Sequence, residues 1–260
     1  MVLLEAYRMS SSYITIKLEK KRHIAWIFLD RPDKLNAINP IMLQELSEAI
    51  DNVEEDTSIR CAIISSTGEK SFSTGADLTE LQKLTPETAT EFSSKGQHVF
   101  SKLEKLSKPV VAAIIGYALG GGLELALACD FRIASYHAQL GCPEIELGLI
   151  PAWGATQRLP RTVGLSNAKW MIMLGDKIQA EKAHKIGLVD KVVPPNEVET
   201  EAEVLAQRLC EFSPAALKYA KCAIESGDGM KKETKFFSLL FSLKNAKKKI
   251  ENFGSQRNKQ

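Results

Sequence analysis

The chain of 260 residues is 44 % hydrophobic and 25 % charged, a composition typical of a globular protein with a large core. Its net charge of +2 gives no support to binding of nucleic acid or of an acidic membrane, although residues 244–260 are locally basic. No apolar run reaches the about 18 residues that a membrane span needs, and the start lacks a signal peptide's apolar core, so we expect a cytoplasmic protein.

The first half of the chain predicts strands alternating with helices. YITIKLEKKRHIAWIFLDRP (13–32) alternates apolar and polar residues on both sides of KKRH, which predicts a β-hairpin. Apolar residues at helical spacing after an Asn-Pro pair predict a helix from about residue 40. RCAIISSTG (60–68) predicts a buried strand, SFSTGADLTELQKL (71–84) a glycine loop leading into a short helix, and residues 86–105 an amphipathic helix.

The second half continues this alternation and ends in helices. KPVVAAIIGYALG (108–120) predicts a strand with a glycine loop, and GGLELALACDFRIAS (121–135) a helix followed by a strand. AQLGCPEIELGLIP (138–151) predicts another strand and a loop. From residue 155 the pattern is largely helical, apart from a strand-like LVDKVV (188–193). Repeated strand–strand–helix units predict an α/β body with a helical tail.

Two glycine loops, STGADL (73–78) and ALGGGLE (118–124), each follow a buried strand and precede a helix. Backbone N–H groups at a helix N-terminus are unpaired, and glycine lets a ligand approach them closely. Two such groups aimed at one point would form an oxyanion hole. A tight strand-to-helix turn without any ligand fits the same pattern, so the loops alone do not decide.

Motifs of several other site classes are absent. Glu69 interrupts the Gly-Lys pair that a phosphate-binding loop requires in STGEKS (66–71). No GxGxxG follows a strand, and no GxSxG of a serine hydrolase is present. The five cysteines lack CxxC spacing and the four histidines are far apart, so we expect neither a disulfide framework nor a metal site.

Glu124 and Glu144 are carboxylates inside the apolar segments GGGLELALA and LGCPEIELGLIP. Burial would raise their pKa values toward the range that is useful for proton transfer. Taken alone, either glutamate is better explained by exposure at a loop edge or by pairing with an arginine such as Arg158. Asp77 and Glu146 are similarly placed, and ordinary loop roles explain them.

Together, these segments resemble the crotonase, or enoyl-CoA hydratase/isomerase, superfamily. The resemblance runs from WIFLDRPDKLNAI through FSTGADL, KPVVAAIIGYALGGGLELALACDFRIAS and AQLGCPEIELGLIPAWGATQRLPRTVG to MLGDKIQAEKAHKIGLVDKVV. It implies an α/β fold, a ClpP-like spiral of repeated ββα units over residues 1–195. It further implies a helical trimerisation region over residues 196–260, and homotrimers that pair into hexamers.

The resemblance also implies a reaction. The backbone N–H groups of Ala76 and Gly121 would form an oxyanion hole for the thioester carbonyl of an acyl-CoA. Glu144 would give a proton to the α-carbon while Glu124 holds and activates water, and the presence of both favours a hydratase over an isomerase. The expected chemistry is reversible syn hydration of short- or medium-chain 2-enoyl-CoA, a step of fatty-acid β-oxidation. It needs no cofactor, since coenzyme A is part of the substrate.

Substrate binding is expected from RPDKLNAI and from the two glycine loops. The residues implied are Lys34, Leu35, Ala37, Gly75, Asp77, Leu78, Gly120 and Trp153. Leu35 and Ala37 would act through their backbones. Lys248, Lys249 or Arg257 of the basic tail would reach the CoA phosphates, whereas a solvated helix face explains most of the tail lysines.

Two segments depart from the family pattern. PAWGATQR (151–158) stands where the family often has PGAGGTQR, so Ala152 replaces a glycine whose N–H helps to hold the catalytic water. Trp153 replaces a small residue, and either caps the acyl pocket and limits chain length or packs against a neighbouring helix. The tail AKKKIENFGSQRNK (246–259) also differs, which weakens the expectation of CoA contacts and of a trimer interface there.

Four other functions remain open at this point. A Δ3-Δ2 enoyl-CoA isomerase and a 3-hydroxyacyl-CoA dehydratase of narrower specificity use related chemistry. A relative that binds RNA through a basic helix is disfavoured by the near-neutral charge. A catalytically idle assembly partner would result if Ala152 and Trp153 disrupted the water site.

Overall fold

The computed structural model describes residues 7–8, 13–225, 227–243 and 250, with only the backbone for residues 7–8. The strands are β1 (Tyr7–Arg8), β2 (Ile16–Lys21), β3 (Ile24–Leu29), β4 (Cys61–Ser66), β5 (Ser71–Ser73), β6 (Val110–Ile114), β7 (Tyr117–Leu119), β8 (Phe131–Ser135), β9 (Gln139–Gly141), β10 (Lys177–Gln179) and β11 (Lys191–Val193). The α-helices are α1 (Pro40–Glu55), α2 (Leu78–Leu81), α3 (Pro86–Glu104), α4 (Gly121–Leu127), α5 (Ala155–Met173), α6 (Ala180–Lys185), α7 (Val198–Cys210), α8 (Pro214–Ile224) and α9 (Gly229–Ser242). Short 3₁₀ turns cover Pro32–Lys34, Pro143–Leu147 and Pro195–Glu197.

Two sheets organise the chain as far as β11. The larger sheet has the strand order β1-β2-β3-β4-β6-β8-β11, and it is parallel from β3 onward. The smaller sheet has the order β10-β9-β7-β5, with only β10 antiparallel to its neighbour. The chain repeatedly places one strand in the larger sheet, one in the smaller sheet and then a helix, as in β6, β7 and α4. This is the expected spiral of ββα units.

The start of the fold follows local sequence signals. β2 and β3 form the predicted hairpin, with Ile16 opposite Leu29 in an antiparallel pair. Helix α1 begins at Pro40, and the Asn39 side chain caps it by accepting the Met42 N–H at 2.9 Å. The buried residues of α1 recur at helical spacing, as the sequence predicts.

Two short strands differ from the sequence-based expectation. GYALG contains β7 where a glycine loop is expected, and β10 precedes the short helix α6 where a longer helix is expected. Strands of three residues are too short to show an alternating pattern, so sequence periodicity does not reveal them. The consequence is that β7, in the smaller sheet, leads directly into the glycines of α4.

The chain divides into two compact units, Met1–Cys210 and Glu211–Gln260. The division lies after α7, and not at the expected residue 195, because α7 packs on β4, β6 and β8 of the first unit. In the second unit α8 and α9 pack together, with the rings of Tyr219 and Phe236 stacked 4.6 Å apart. Lys248, Lys249 and Arg257, the expected CoA-phosphate contacts, lie outside the described residues.

Among the described residues, no helix is long and apolar enough to cross a membrane. The same part of the chain contains no group of three or more histidine, cysteine, aspartate or glutamate side chains that could hold a metal ion.

Candidate active site

The two glycine loops meet at the N-termini of α2 and α4. Gly75 has a positive φ of +91°, and a Cβ on it would stand 2.7 Å from the Gly121 nitrogen. A Cβ on Gly121 would in turn stand 3.4 Å from the Ala76 nitrogen. The N–H groups of Ala76 and Gly121 are therefore neighbours, and within the described part of the chain neither donates to another residue. Two adjacent unpaired N–H groups are what an oxyanion hole requires.

The three consecutive glycines are each required by a different contact. Gly120 has φ +51° and ψ −124°, and a Cβ there would lie 2.9 Å from Glu144 Oε1. A Cβ on Gly121 would lie 2.4 Å from the Trp153 ring, and one on Gly122 would lie 2.2 Å from the Ser73 carbonyl oxygen. The glycines therefore bring the start of α4 against a carboxylate, an indole and the end of β5.

Glu124 occupies the first turn of α4 and is 2 % exposed. Its Oε1 accepts the N–H groups of Trp153 at 2.8 Å and Ala155 at 2.9 Å. Burial raises the pKa of Glu124, and the surrounding N–H groups oppose that rise. The two hydrogen bonds fix one carboxylate oxygen, which leaves Oε2 as the oxygen available to a ligand.

Glu144 lies in the 3₁₀ turn after β9, and faces the same space as Glu124. Its Oε2 is buried and has no hydrogen-bond partner among the described residues. Burial, together with the negative charge of Glu124, raises the pKa of Glu144 to about 7. A carboxyl group with that pKa is partly protonated at neutral pH, and can give or take a proton there.

Arg158, which the sequence offers as an ion-pair partner for these glutamates, pairs with another residue. Arg158 is 6 % exposed and forms an ion pair with Glu104, with Nη2 2.8 Å from Oε2. Its Nη1 donates to the Trp153 carbonyl oxygen at 2.9 Å. Neither Glu124 nor Glu144 forms an ion pair with any of the described residues. Arg158 therefore positions the 153–155 backbone that in turn holds Glu124.

A cavity of about 620 Å³ joins these groups. Its polar lining includes Ala76, Gly121, Glu124 and Glu144. Apolar side chains complete one part of the wall, namely Leu81, Leu84, Ala89, Phe92 and Trp153. A largely apolar cavity with a few convergent polar groups is typical of a site for a small organic ligand.

The PAWGATQR segment forms part of this wall. Ala152 does not adopt a positive φ, so its Cβ is accommodated without strain, and its N–H donates to no described residue. Its carbonyl oxygen accepts from Ser93 Oγ and Gln97 Nε2, both at 2.9 Å. Trp153 is 2 % exposed, and its ring packs on Phe92 and Phe100 of α3. Trp153 therefore packs against a helix and lines the cavity at the same time.

The expected CoA-binding residues lie toward another side of the cavity. Lys34 is exposed and lines it, together with Ala37, Asp77 and Leu78. The Ala37 N–H donates to the Lys34 carbonyl at 3.0 Å, and its own carbonyl oxygen accepts from Arg31. Asp77 caps α2 and pairs with Arg31 at 3.0 Å.

Two of the expected binding residues, Leu35 and Gly75, do not line this cavity. Leu35 lines a smaller cavity of about 340 Å³. Its N–H donates to Pro32 and its carbonyl accepts from Thr74. The Leu35 backbone thus holds the RPDKLNAI turn against the loop that carries Gly75.

A protein-family model described as enoyl-CoA hydratase/isomerase matches residues 19–258. The chain belongs to this family. A crotonyl-CoA hydratase of Syntrophomonas wolfei is 40 % identical over 252 residues, which is 95 % of this chain and 97 % of the relative. A short-chain-enoyl-CoA hydratase of Clostridium acetobutylicum is 43 % identical over 210 residues, 81 % of this chain and 80 % of the relative.

Solved structures of the family agree with the fold. The crystal structure of an enoyl-CoA hydratase from Bacillus anthracis superimposes with a TM-score of 0.89 at 35 % identity, covering 94 % of this chain and 97 % of that one. An enoyl-CoA hydratase structure from Thermoplasma volcanium gives a TM-score of 0.86 at 34 % identity, covering 92 % and 96 %. The crotonase fold that the sequence resemblance implies is therefore confirmed.

The sequence does not predict the contributions of three residues around the cavity. These are Gly96, Phe92 and Arg158, the last of which donates to the Trp153 carbonyl oxygen. A Cβ on Gly96 would lie 2.2 Å from the Trp153 ring, so Gly96 makes room for the indole inside α3. A lone glycine within a helix costs about 1 kcal/mol relative to alanine, and such a cost usually has a packing reason. That cost is the one sequence signal that points to Gly96.

Proposed function

We propose that this protein is an enoyl-CoA hydratase, a hydro-lyase that adds water reversibly across the 2,3-double bond of short- or medium-chain enoyl-CoA thioesters. The observation that carries the proposal is one cavity in which a buried carboxyl group, Glu124, and a half-buried one, Glu144, lie beside two N–H groups that are unpaired among the described residues. Membership of the family and full-length similarity to a crotonyl-CoA hydratase support the same activity.

The proposed mechanism begins at the thioester. Its carbonyl oxygen accepts the N–H groups of Ala76 and Gly121, which stabilise the negative charge that develops when water attacks C3. Glu124, fixed through Oε1, takes a proton from the water through Oε2 as the C3–O bond forms. The double-bond electrons pass into the enolate, and Glu144 protonates C2. Glu124 then carries the proton taken from water and Glu144 is ionised, and proton exchange with solvent restores the starting state.

The proposed reaction needs no cofactor. The electrophile is activated by backbone N–H groups, and both proton transfers use side chains of the chain itself. Lys34, Ala37, Gly75, Asp77, Leu78 and Gly120 are proposed to line the thioester and the pantetheine, with Leu35 shaping the turn. Coenzyme A enters as part of the substrate.

A Δ3-Δ2 isomerase is the second candidate, because it needs only proton transfer at C2 and C4. The fixed Glu124 favours hydration, since a carboxylate held by two N–H groups is oriented to position a water. The test measures the loss of conjugated-thioester absorbance of crotonyl-CoA, and in parallel its appearance from 3-hexenoyl-CoA. Hydration of the first with no conversion of the second supports the proposal. Conversion of the second alone would overturn it.

The remaining proposals concern assembly and location. We infer a homotrimer, or a pair of trimers, and a cytoplasmic location as a step of fatty-acid β-oxidation. Family membership supports the assembly, and sedimentation equilibrium tests it against a monomer. Fractionation of the producing cells tests the location.

A further inference from the structure

Trp153 is held between two glycines of two different helices. A Cβ on Gly96 of α3 would lie 2.2 Å from its Nε1 and Cδ1, and a Cβ on Gly121 of α4 would lie 2.4 Å from its Cζ3. The five-membered ring therefore faces α3, and the six-membered ring faces the oxyanion loop. An indole at this place requires both glycines.

The indole cannot easily move out of this position. Phe92 and Phe100 pack on its faces and edge, with ring centroids 5.2 and 5.5 Å away. The backbone N–H of Trp153 donates to Glu124 Oε1, and the backbone carbonyl oxygen of Trp153 accepts from Arg158 Nη1. A side chain with 2 % exposure and both backbone groups bonded is a fixed wall, and not a mobile lid.

The proposed substrate geometry directs the acyl chain at this wall. With the carbonyl oxygen at Ala76 and Gly121, C2 faces Glu144 and C3 faces Glu124. The indole lies against Gly121 and lines the same cavity as Glu124, so the carbons after C3 are directed toward the indole. Each further methylene group of the acyl chain must then fit between C3 and the fixed indole of Trp153.

We propose that Trp153 closes the acyl end of the cavity and restricts the enzyme to short enoyl-CoA substrates of crotonyl size. This inference rests on the proposed hydratase function, which fixes where C3 lies. In apolar enzyme pockets one methylene changes kcat/KM by about 10- to 200-fold, so a fixed indole is sufficient to set the chain length.

A second route for a long chain exists and must be tested against this one. A groove of about 790 Å³ between α1 and α3 shares Leu84 and Phe92 with the cavity wall. If Phe92 turned aside, a long acyl chain would enter that groove without meeting the indole.

The test compares crotonyl-, hexenoyl-, octenoyl- and decenoyl-CoA as substrates of the parent, Trp153→Phe, Trp153→Ala and Phe92→Ala. The quantity measured is the octenoyl-to-crotonyl ratio of kcat/KM, because a ratio within one variant is independent of how much of that variant folds. Phe100→Leu is the matched control, since Phe100 packs on the indole but does not line the cavity.

We expect the ratio to rise at least about tenfold in Trp153→Ala, less in Trp153→Phe, and to change less than about twofold in Phe100→Leu. An unchanged ratio in both Trp153 variants would overturn the inference. A rise in Phe92→Ala without one in Trp153→Ala would also overturn it, in favour of the α1–α3 groove.

The failure of the proposed function is separable from the failure of this inference. A parent that does not hydrate crotonyl-CoA contradicts the function. Calorimetric binding of butyryl- and octanoyl-CoA to the same variants then measures chain-length selection without turnover. A preference for butyryl-CoA that Trp153→Ala removes supports the role of Trp153, and equal binding of both esters by the parent contradicts it.

Discussion

The pH dependence of catalysis follows from the proton shared by Glu124 and Glu144. Hydration needs Glu144 protonated and Glu124 ionised, and dehydration needs the reverse, so both directions use the pair with one proton. The overall reaction neither releases nor consumes a proton, so its equilibrium constant is independent of pH. It follows that kcat/KM must vary with pH in the same way in both directions, and that the pair titrates as a unit.

The pKa of Glu144 sets how steeply kcat/KM changes with pH. Burial, with the charge of Glu124, raises the pKa of Glu144 to about 7. From that value the singly protonated pair falls from about a half at pH 7 to about a tenth at pH 8 and about a hundredth at pH 9. Burial also raises the pKa of Glu124, so protonation of both groups lowers activity on the acid side. The expected profile is a bell with a basic limb near neutrality.

The assay measures initial rates at low substrate concentration, with crotonyl-CoA in one direction and 3-hydroxybutyryl-CoA in the other. We expect kcat/KM to fall about fivefold between pH 7 and pH 8, and about tenfold over the next unit, in both directions. Glu146→Gln is the control, because it removes an exposed carboxylate from the same cavity and should keep the shape of the profile. A kcat/KM that stays constant from about pH 6 to about pH 9 would refute the shared-proton reasoning.

Two further predictions concern stability and the glycine loop. The folded-state pKa of Glu144 lies above the usual 4.5, so its stabilising contribution is complete below about pH 4.5 and is lost as the pH rises through about 7. A pKa shift is worth about 1.4 kcal/mol per unit, and partial exposure of Glu144 reduces this value. Over that pH range the free energy of unfolding in urea should therefore fall by about 1–3 kcal/mol more in the parent than in Glu144→Gln. Equal decreases in the two proteins would contradict the raised pKa. Gly120→Ala places a Cβ 2.9 Å from Glu144 Oε1 and should lower kcat about 100-fold or more, since a displaced catalytic group costs that much. Gly164→Ala, with a similar positive φ of +77° but open space around it, should lower stability without that loss, and equal kcat values for the two variants would count against the contact.

Much of the fold is accessible from the sequence because its longer elements carry strong periodic patterns. The β2–β3 hairpin and α1 show their alternation and their cap in the residues themselves. The three-residue strands β7 and β10 do not, since pairing within the smaller sheet defines them and the sequence shows only the residues of one strand. The unit boundary at residue 210 likewise depends on where α7 packs, which is a tertiary property.

In the candidate site, too, the sequence indicates some residues, and only the folded structure shows the others. The sequence indicates Gly121 and the two glutamates, because glycines and carboxylates are unusual in apolar segments. The sequence does not indicate the role of Arg158, because a buried arginine that donates to a backbone carbonyl follows no characteristic spacing. The sequence shows Trp153 as a departure from the family pattern, but the space for its indole depends on Gly96, which lies 57 residues earlier in the chain. Contacts between distant segments require the folded structure.

The central claim is that Glu124 and Glu144 act together on one substrate, and the most direct measurement is the hydration of crotonyl-CoA by the parent, Glu124→Gln, Glu144→Gln and the double variant. We expect kcat to fall about 100-fold or more in each single variant, because each removes one general acid or base. The double variant should fall by much less than the product of the two, since residues that act as a unit are not additive. Wild-type-like kcat in either single variant would contradict the two-carboxylate mechanism.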